Sequence, residues 1–144
     1  CMDAPVLAAD TVVSLGGKIL GKPRDLEEAA RFMRELSGRT HEVRTAVAVG
    51  RSREDYRALV VLSRVTMRPI SEEEIGRYVM TDEPYDKAGG YGIQGLAGLF
   101  VQSVAGSYTG IMGLPVCEAA ELLKSYGAPA PALFQPMPTS STSK

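Results

Sequence analysis

Histidine occurs once in these 144 residues, as His41, cysteine twice, as Cys1 and Cys117, and tryptophan not at all. Two cysteines make no disulfide framework, so the default setting is a reducing cytoplasm. One histidine with two distant cysteines argues against a zinc site. An excess of positive charge is missing too: 16 Lys and Arg face 17 Asp and Glu, for a net charge of −1. A generic binder of nucleic acid or of an anionic membrane needs a basic surplus. A small anionic ligand needs only a few well-placed cations and stays open. No apolar run approaches the ~20 residues that span a bilayer. No basic, apolar, then small-residue leader opens the chain, and no Gly-x-x-x-x-Gly-Lys-Ser/Thr phosphate loop occurs in it.

What is there is an ordinary globular mixture, 44% hydrophobic and 23% charged, with 15 glycines and 9 prolines. The length suits one domain. The chain enters a strand-like run directly after Cys1-Met2-Asp3-Ala4-Pro5, which reads as an opening inside a domain. Pro5 to Val13 predicts a buried strand interrupted by Asp10-Thr11. Gly16-Gly17 is a two-residue hairpin signal, and Lys18-Ile19-Leu20 returns. Asp25 with Glu28 forms a capping box for a helix whose Leu26, Ala29, Ala30, Met33 and Leu36 share one face, ended by Gly38. Alternation over Glu42–Val49 predicts a strand, and Tyr56–Met67 a second, paired as a long antiparallel hairpin. Ser71 and Glu74 make another capping box, before a short helix with Ile75, Tyr78 and Val79 inward, ended by Pro84. Tyr85–Gly98 reads as irregular, Leu99–Ala105 as a strand, and Pro115 opens a last helix that stops near Gly127. Residues 128–144 are rich in Pro, Ser and Thr and read as a disordered tail; residues 1–127 make the domain.

Few residues carry chemistry by their position alone. Asp10 follows an apolar run, where a buried carboxylate needs a partner or a metal. It reads equally as a general base or metal ligand at the mouth of a sheet and as an Asp that accepts hydrogen bonds in the following turn. Lys22, in Gly21-Lys22-Pro23, could meet a phosphate; on spacing alone an ordinary loop lysine is the more frequent case. The run Asp86-Lys87-Ala88-Gly89-Gly90-Tyr91-Gly92-Ile93-Gln94-Gly95 keeps few side chains among its glycines. Its backbone N–H groups can bind anions, and Gln94 offers a donor and an acceptor suited to a base edge; the alternative is a flexible loop. His41 reads as a surface or turn residue, and Cys117 as buried helix packing. A nucleophilic pair of the two is poorly motivated. Glu72-Glu73-Glu74 suits a helix N-terminus.

Taken in order, Ala9-Asp10-Thr11-Val12-Val13, Gly21-Lys22-Pro23, Leu36-Ser37-Gly38-Arg39-Thr40-His41-Glu42-Val43, Asp82 through Gly95 and Gly113-Leu114-Pro115 resemble the Maf family of nucleotide pyrophosphatases. The resemblance runs from about residue 5 to residue 127. It implies an α/β fold around a mixed sheet with flanking helices and a cleft between two lobes, an architecture shared with inosine triphosphate pyrophosphatases. It implies hydrolysis of a nucleoside triphosphate to the monophosphate and pyrophosphate with Mg²⁺ or Mn²⁺, a cytoplasmic house-cleaning role, a link to inhibition of septum formation, and a homodimer. Asp10 matches the family's proton acceptor, Lys22 and Lys87 its phosphate-facing lysines, and Thr11 and Gln94 positions tied to base choice. The Asp-Thr and Gly-Ile-Gln-Gly versions resemble the dTTP/UTP branch. The family's opening strand, its Ser-x-Ser-Pro-Arg-Arg-type loop and a further glutamate do not occur in this sequence, so an N-terminally truncated version of the domain is expected. Two other functions are consistent with the same residues: a non-catalytic nucleotide-binding or septum-regulating protein that lacks the phosphate loop, and an enzyme of the inosine triphosphate group.

Overall fold

The computed structural model describes residues 5–127. The predicted tail, 128–144, lies outside them. Five strands form one sheet in the order β2-β1-β3-β4-β5: β1 (Val6–Leu15), β2 (Lys18–Leu20), β3 (Thr40–Gly50), β4 (Tyr56–Met67) and β5 (Val101–Ala105). The fold is the α/β type that the resemblance implies. Over the described residues every strand pair is antiparallel. Gly16 and Gly17 turn β1 into β2 with φ of 57° and 86°, the left-handed pair that a tight hairpin requires.

The helices are held by their caps. Asp25 Oδ1 accepts from the Glu28 N–H at 2.8 Å and opens α1 (Leu26–Leu36). The expected return bond of the box is replaced: Glu28 accepts from the Arg24 amide and guanidinium, because a charged donor makes the stronger bond. Ala29, Phe32, Met33 and Leu36 are buried, whereas Leu26, expected inside, is 48% exposed in the first turn. In α2 (Glu72–Tyr78) both halves of the Ser71–Glu74 box form. That helix stops well before Pro84, which instead starts a 3₁₀ turn at Glu83–Asp86. Two further 3₁₀ turns, Ala88–Gly90 and Leu96–Leu99, order the stretch expected to be irregular, so β5 begins two residues later than the apolar pattern suggests. A four-residue α3 (Tyr108–Ile111) precedes α4 (Val116–Ser125).

The register gives the sheet two unlike faces. Val43, Thr45, Val47 and Val49 of β3 are buried, and α3 and α4 pack on this strand from that side. The main core joins Val13, Val43, Val65 and Met67 to Phe32, Met33 and Leu36 of α1 and to Ile75 and Tyr78 of α2. The pairs Ala8↔Ala48, Asp10↔Ala46, Val12↔Arg44 and Ala46↔Val60 share the opposite face. None of the described helices covers it, and Val6 and Val60 are 69% and 62% exposed there. β2 pairs only with Val13–Leu15, and among the described residues no strand pairs with the outer edge of β1 from Val6 to Val12.

Candidate active site

Beside β1 a cleft of about 490 Å³ opens among the Lys22 loop, the glycine-rich turns and the end of α3. Asp10, Thr11, Lys22, Lys87 and Gln94 all border it. The backbone brings the two lysines together: the Gly89 N–H donates to the Gly21 carbonyl at 3.0 Å, joining the two loops. Gly89 has φ of 78°, and a Cβ there would stand 2.9 Å from Val13 Cγ1. Only glycine lets this loop settle on β1.

Charge in the cleft is mixed. Lys87 Nζ pairs with Asp86 at 2.9 Å, and Lys87, with Lys22 farther off, holds the Asp86 carboxyl below its usual range. Lys22 is exposed and makes no ion pair among the described residues. Gln94 is exposed at the rim. Thr11 is half-buried and stands on the covered face opposite Thr45. Asp10 is neither at the end of its strand nor buried. It sits mid-strand and exposed, paired with Ala46 on the bare face. At the open edge of β1 it borders both this cleft and a second hollow lined by Ser14, Glu42 and Arg44.

Glu83 is a residue that motif reasoning passed over. Its carboxylate accepts from the Tyr78 hydroxyl at 2.5 Å and from the Leu96, Ala97 and Gly92 amides at 2.8, 3.1 and 3.3 Å. Burial alone would raise its pKa; the hydrogen bonds from Tyr78 and the three amides outweigh burial and hold it below the ordinary carboxylate value. These bonds bracket Gln94. A Cβ at Gly95 would collide with Glu83 Oε1, so the glycine is a requirement of the clasp. The available signal was an acidic residue just ahead of a loop whose amides need acceptors. Glu83→Ala is expected to speed amide hydrogen exchange at Gly92, Leu96 and Ala97 while α1 and β3 keep their protection. Unchanged exchange at those three amides would count against the clasp.

His41 also departs from expectation. It is 1% exposed, beneath the cleft, with Nε2 2.6 Å from the Tyr91 hydroxyl and the two rings edge to face. The inward phase of β3 puts it there, since residues 41, 43, 45, 47 and 49 all face the core. Cys117, expected to be buried, is exposed on α4.

The carboxylates of the cleft are differently engaged. Both Glu83 oxygens accept hydrogen bonds, Asp86 is paired with Lys87, and among the described residues no three His, Cys, Asp or Glu are grouped to hold an ion. Asp10 is the carboxylate of the cleft that accepts no hydrogen bond from another described residue, and it is left to meet an Mg²⁺ or Mn²⁺ of the kind the resemblance implies. No described helix is long and apolar enough to cross a membrane.

Comparison with known proteins shows the family. The chain is 55% identical over 132 residues to a dTTP/UTP pyrophosphatase of Bordetella parapertussis, a match covering 90% of this chain and 62% of the relative. It is 56% identical over 124 residues to the dTTP/UTP pyrophosphatase of Dechloromonas aromatica, covering 85% and 61%. With the Escherichia coli K12 protein of that name the identity is 53% over 126 residues, covering 88% and 64%. The chain therefore spans a little over three-fifths of the length of the curated relatives it matches. The model of the Maf-like protein family matches residues 2–126, nearly the whole sequence, and the chain belongs to that family.

Proposed function

We propose that the cleft takes a pyrimidine nucleoside triphosphate, dTTP or UTP, and hydrolyses it to the monophosphate and pyrophosphate. The observation that carries this reading is the meeting of Lys22 and Lys87, from loops tied by the Gly89–Gly21 bond, with Thr11 and Gln94 in one cleft. The names of the relatives support the same chemistry.

Lys22 and Lys87 meet the triphosphate, whose charge they offset at the point where charge builds on the leaving pyrophosphate. Lys87 then exchanges Asp86 for a phosphate oxygen. Asp10 accepts a proton from the water that attacks the α-phosphorus as the bond to the pyrophosphate breaks. Gln94 and Thr11 read the base. A divalent cation would arrive with the substrate in this scheme, because Mg²⁺ keeps several waters and commonly binds through one or two carboxylates plus substrate phosphates. The homodimer and the cytoplasmic setting implied by the resemblance belong to the same reading.

The test is kcat/KM for pyrophosphate release from dTTP, UTP, CTP and GTP, with and without Gln94→Ala. The expected result is a preference for dTTP and UTP that shrinks in the variant more than the overall rate falls. Equal treatment of all four by the unaltered protein overturns the pyrimidine reading. Nucleotide binding without pyrophosphate release favours the non-catalytic alternative.

A further inference from the structure

A hydroxyl carries one proton, and two hydroxyls in contact must divide the roles of donor and acceptor. Thr45, fully buried in β3, donates its proton to the Gly110 carbonyl at 2.6 Å. Its neighbour Thr11 lies 3.0 Å away, oxygen to oxygen. Since the Thr45 proton is committed, Thr11 must be the donor in that pair. The Gly110 carbonyl also accepts from the Gly113 N–H at 3.0 Å, so both its lone pairs are engaged. Among the described residues no donor reaches Thr11 Oγ1, and its remaining lone pairs are left for the cleft.

We propose that Thr45 is a positioning residue that sets the polarity of base recognition: it compels Thr11 to spend its proton inward and to meet the ligand as an acceptor only. The proposal rests on the pyrimidine triphosphate reading above. Uracil and thymine carry an N–H at position 3, which such an acceptor satisfies. Cytosine carries an unprotonated nitrogen there, and two acceptors would face each other. A site with fixed polarity rejects the ring that leaves its polar group unpaired.

Thr45→Val keeps the shape and removes the hydroxyl. Thr11 is then free to turn its proton toward the cleft and serve cytosine. The expected result is a fall of about tenfold in the UTP:CTP ratio of kcat/KM, the scale of one unpaired buried group, with most of the change a gain for CTP. Thr45→Ser restores the hydroxyl and the ratio. A purely structural role would lower both substrates alike, and that outcome overturns the proposal. If Thr45→Val fails to fold by circular dichroism, Thr11→Val decides: it is expected to lose UTP without gaining CTP, and an unchanged ratio there overturns the proposal. A wild-type chain that prefers UTP while Thr45→Val keeps the same ratio sinks the polarity relay and leaves the pyrimidine reading standing. A wild-type chain that releases pyrophosphate from neither substrate sinks both.

Discussion

Asp10→Asn is expected to lower turnover by about 10²-fold or more, the usual scale for loss of a general base. The variant keeps the size and shape of the side chain. Asp10 is exposed at the open edge of β1, and no hydrogen bond from another described residue reaches its side chain, so the strand loses no internal contact. Thermal unfolding should therefore match the unaltered protein while pyrophosphate release falls. Near-normal turnover would remove Asp10 from the chemistry. A parallel loss of stability would show instead that the carboxylate holds the fold.

The second large effect concerns acid stability. Burial pushes the His41 imidazole down to about 4, against an ordinary value near 6.5. Between those values the unfolded chain binds the proton and the folded chain does not, so stability falls as pH falls from the unfolded value toward the folded one. It is fully retained only above the unfolded value. The loss between about pH 7 and about pH 5 is roughly 2 kcal/mol, on the linkage relation for one such group. Carboxylates held low, such as Glu74 at about 2, titrate below this window and do not mimic it. Urea unfolding at the two pH values measures the slope. In His41→Gln, which cannot titrate there, the slope should flatten whatever the variant's absolute stability. An equal slope in both proteins would mean that some other group carries the proton.

Much of this was legible in the residues. The caps at Asp25 and Ser71, the Gly16-Gly17 turn and the long hairpin follow from local chemistry, and local chemistry decides them. The misreadings lie where a partner distant in sequence decides. His41 looked like a turn residue because Thr40 and Arg39 beside it are polar; its partner Tyr91 is fifty positions away. Asp10 looked like a carboxylate interrupting a buried strand because the apolar run breaks there, yet β3 continues the pairing through Ser14 and the residue is exposed. Cys117 looked buried by composition alone, although the inward face of α4 is set by Ala119 against the sheet. The candidate site was legible as a set of residue types. The Glu83 clasp and the Thr45–Thr11 proton order were not, because each depends on which acceptor a given proton reaches.

The edge of β1 also bears on the site. Among the described residues no strand pairs with the outer edge of β1 from Val6 to Val12, and these amides and carbonyls, beside exposed Val60 and Leu62, are able to take up another strand. Asp10 stands on that same edge. A strand paired there lies beside the carboxylate, so whatever strand takes that edge helps set what Asp10 meets.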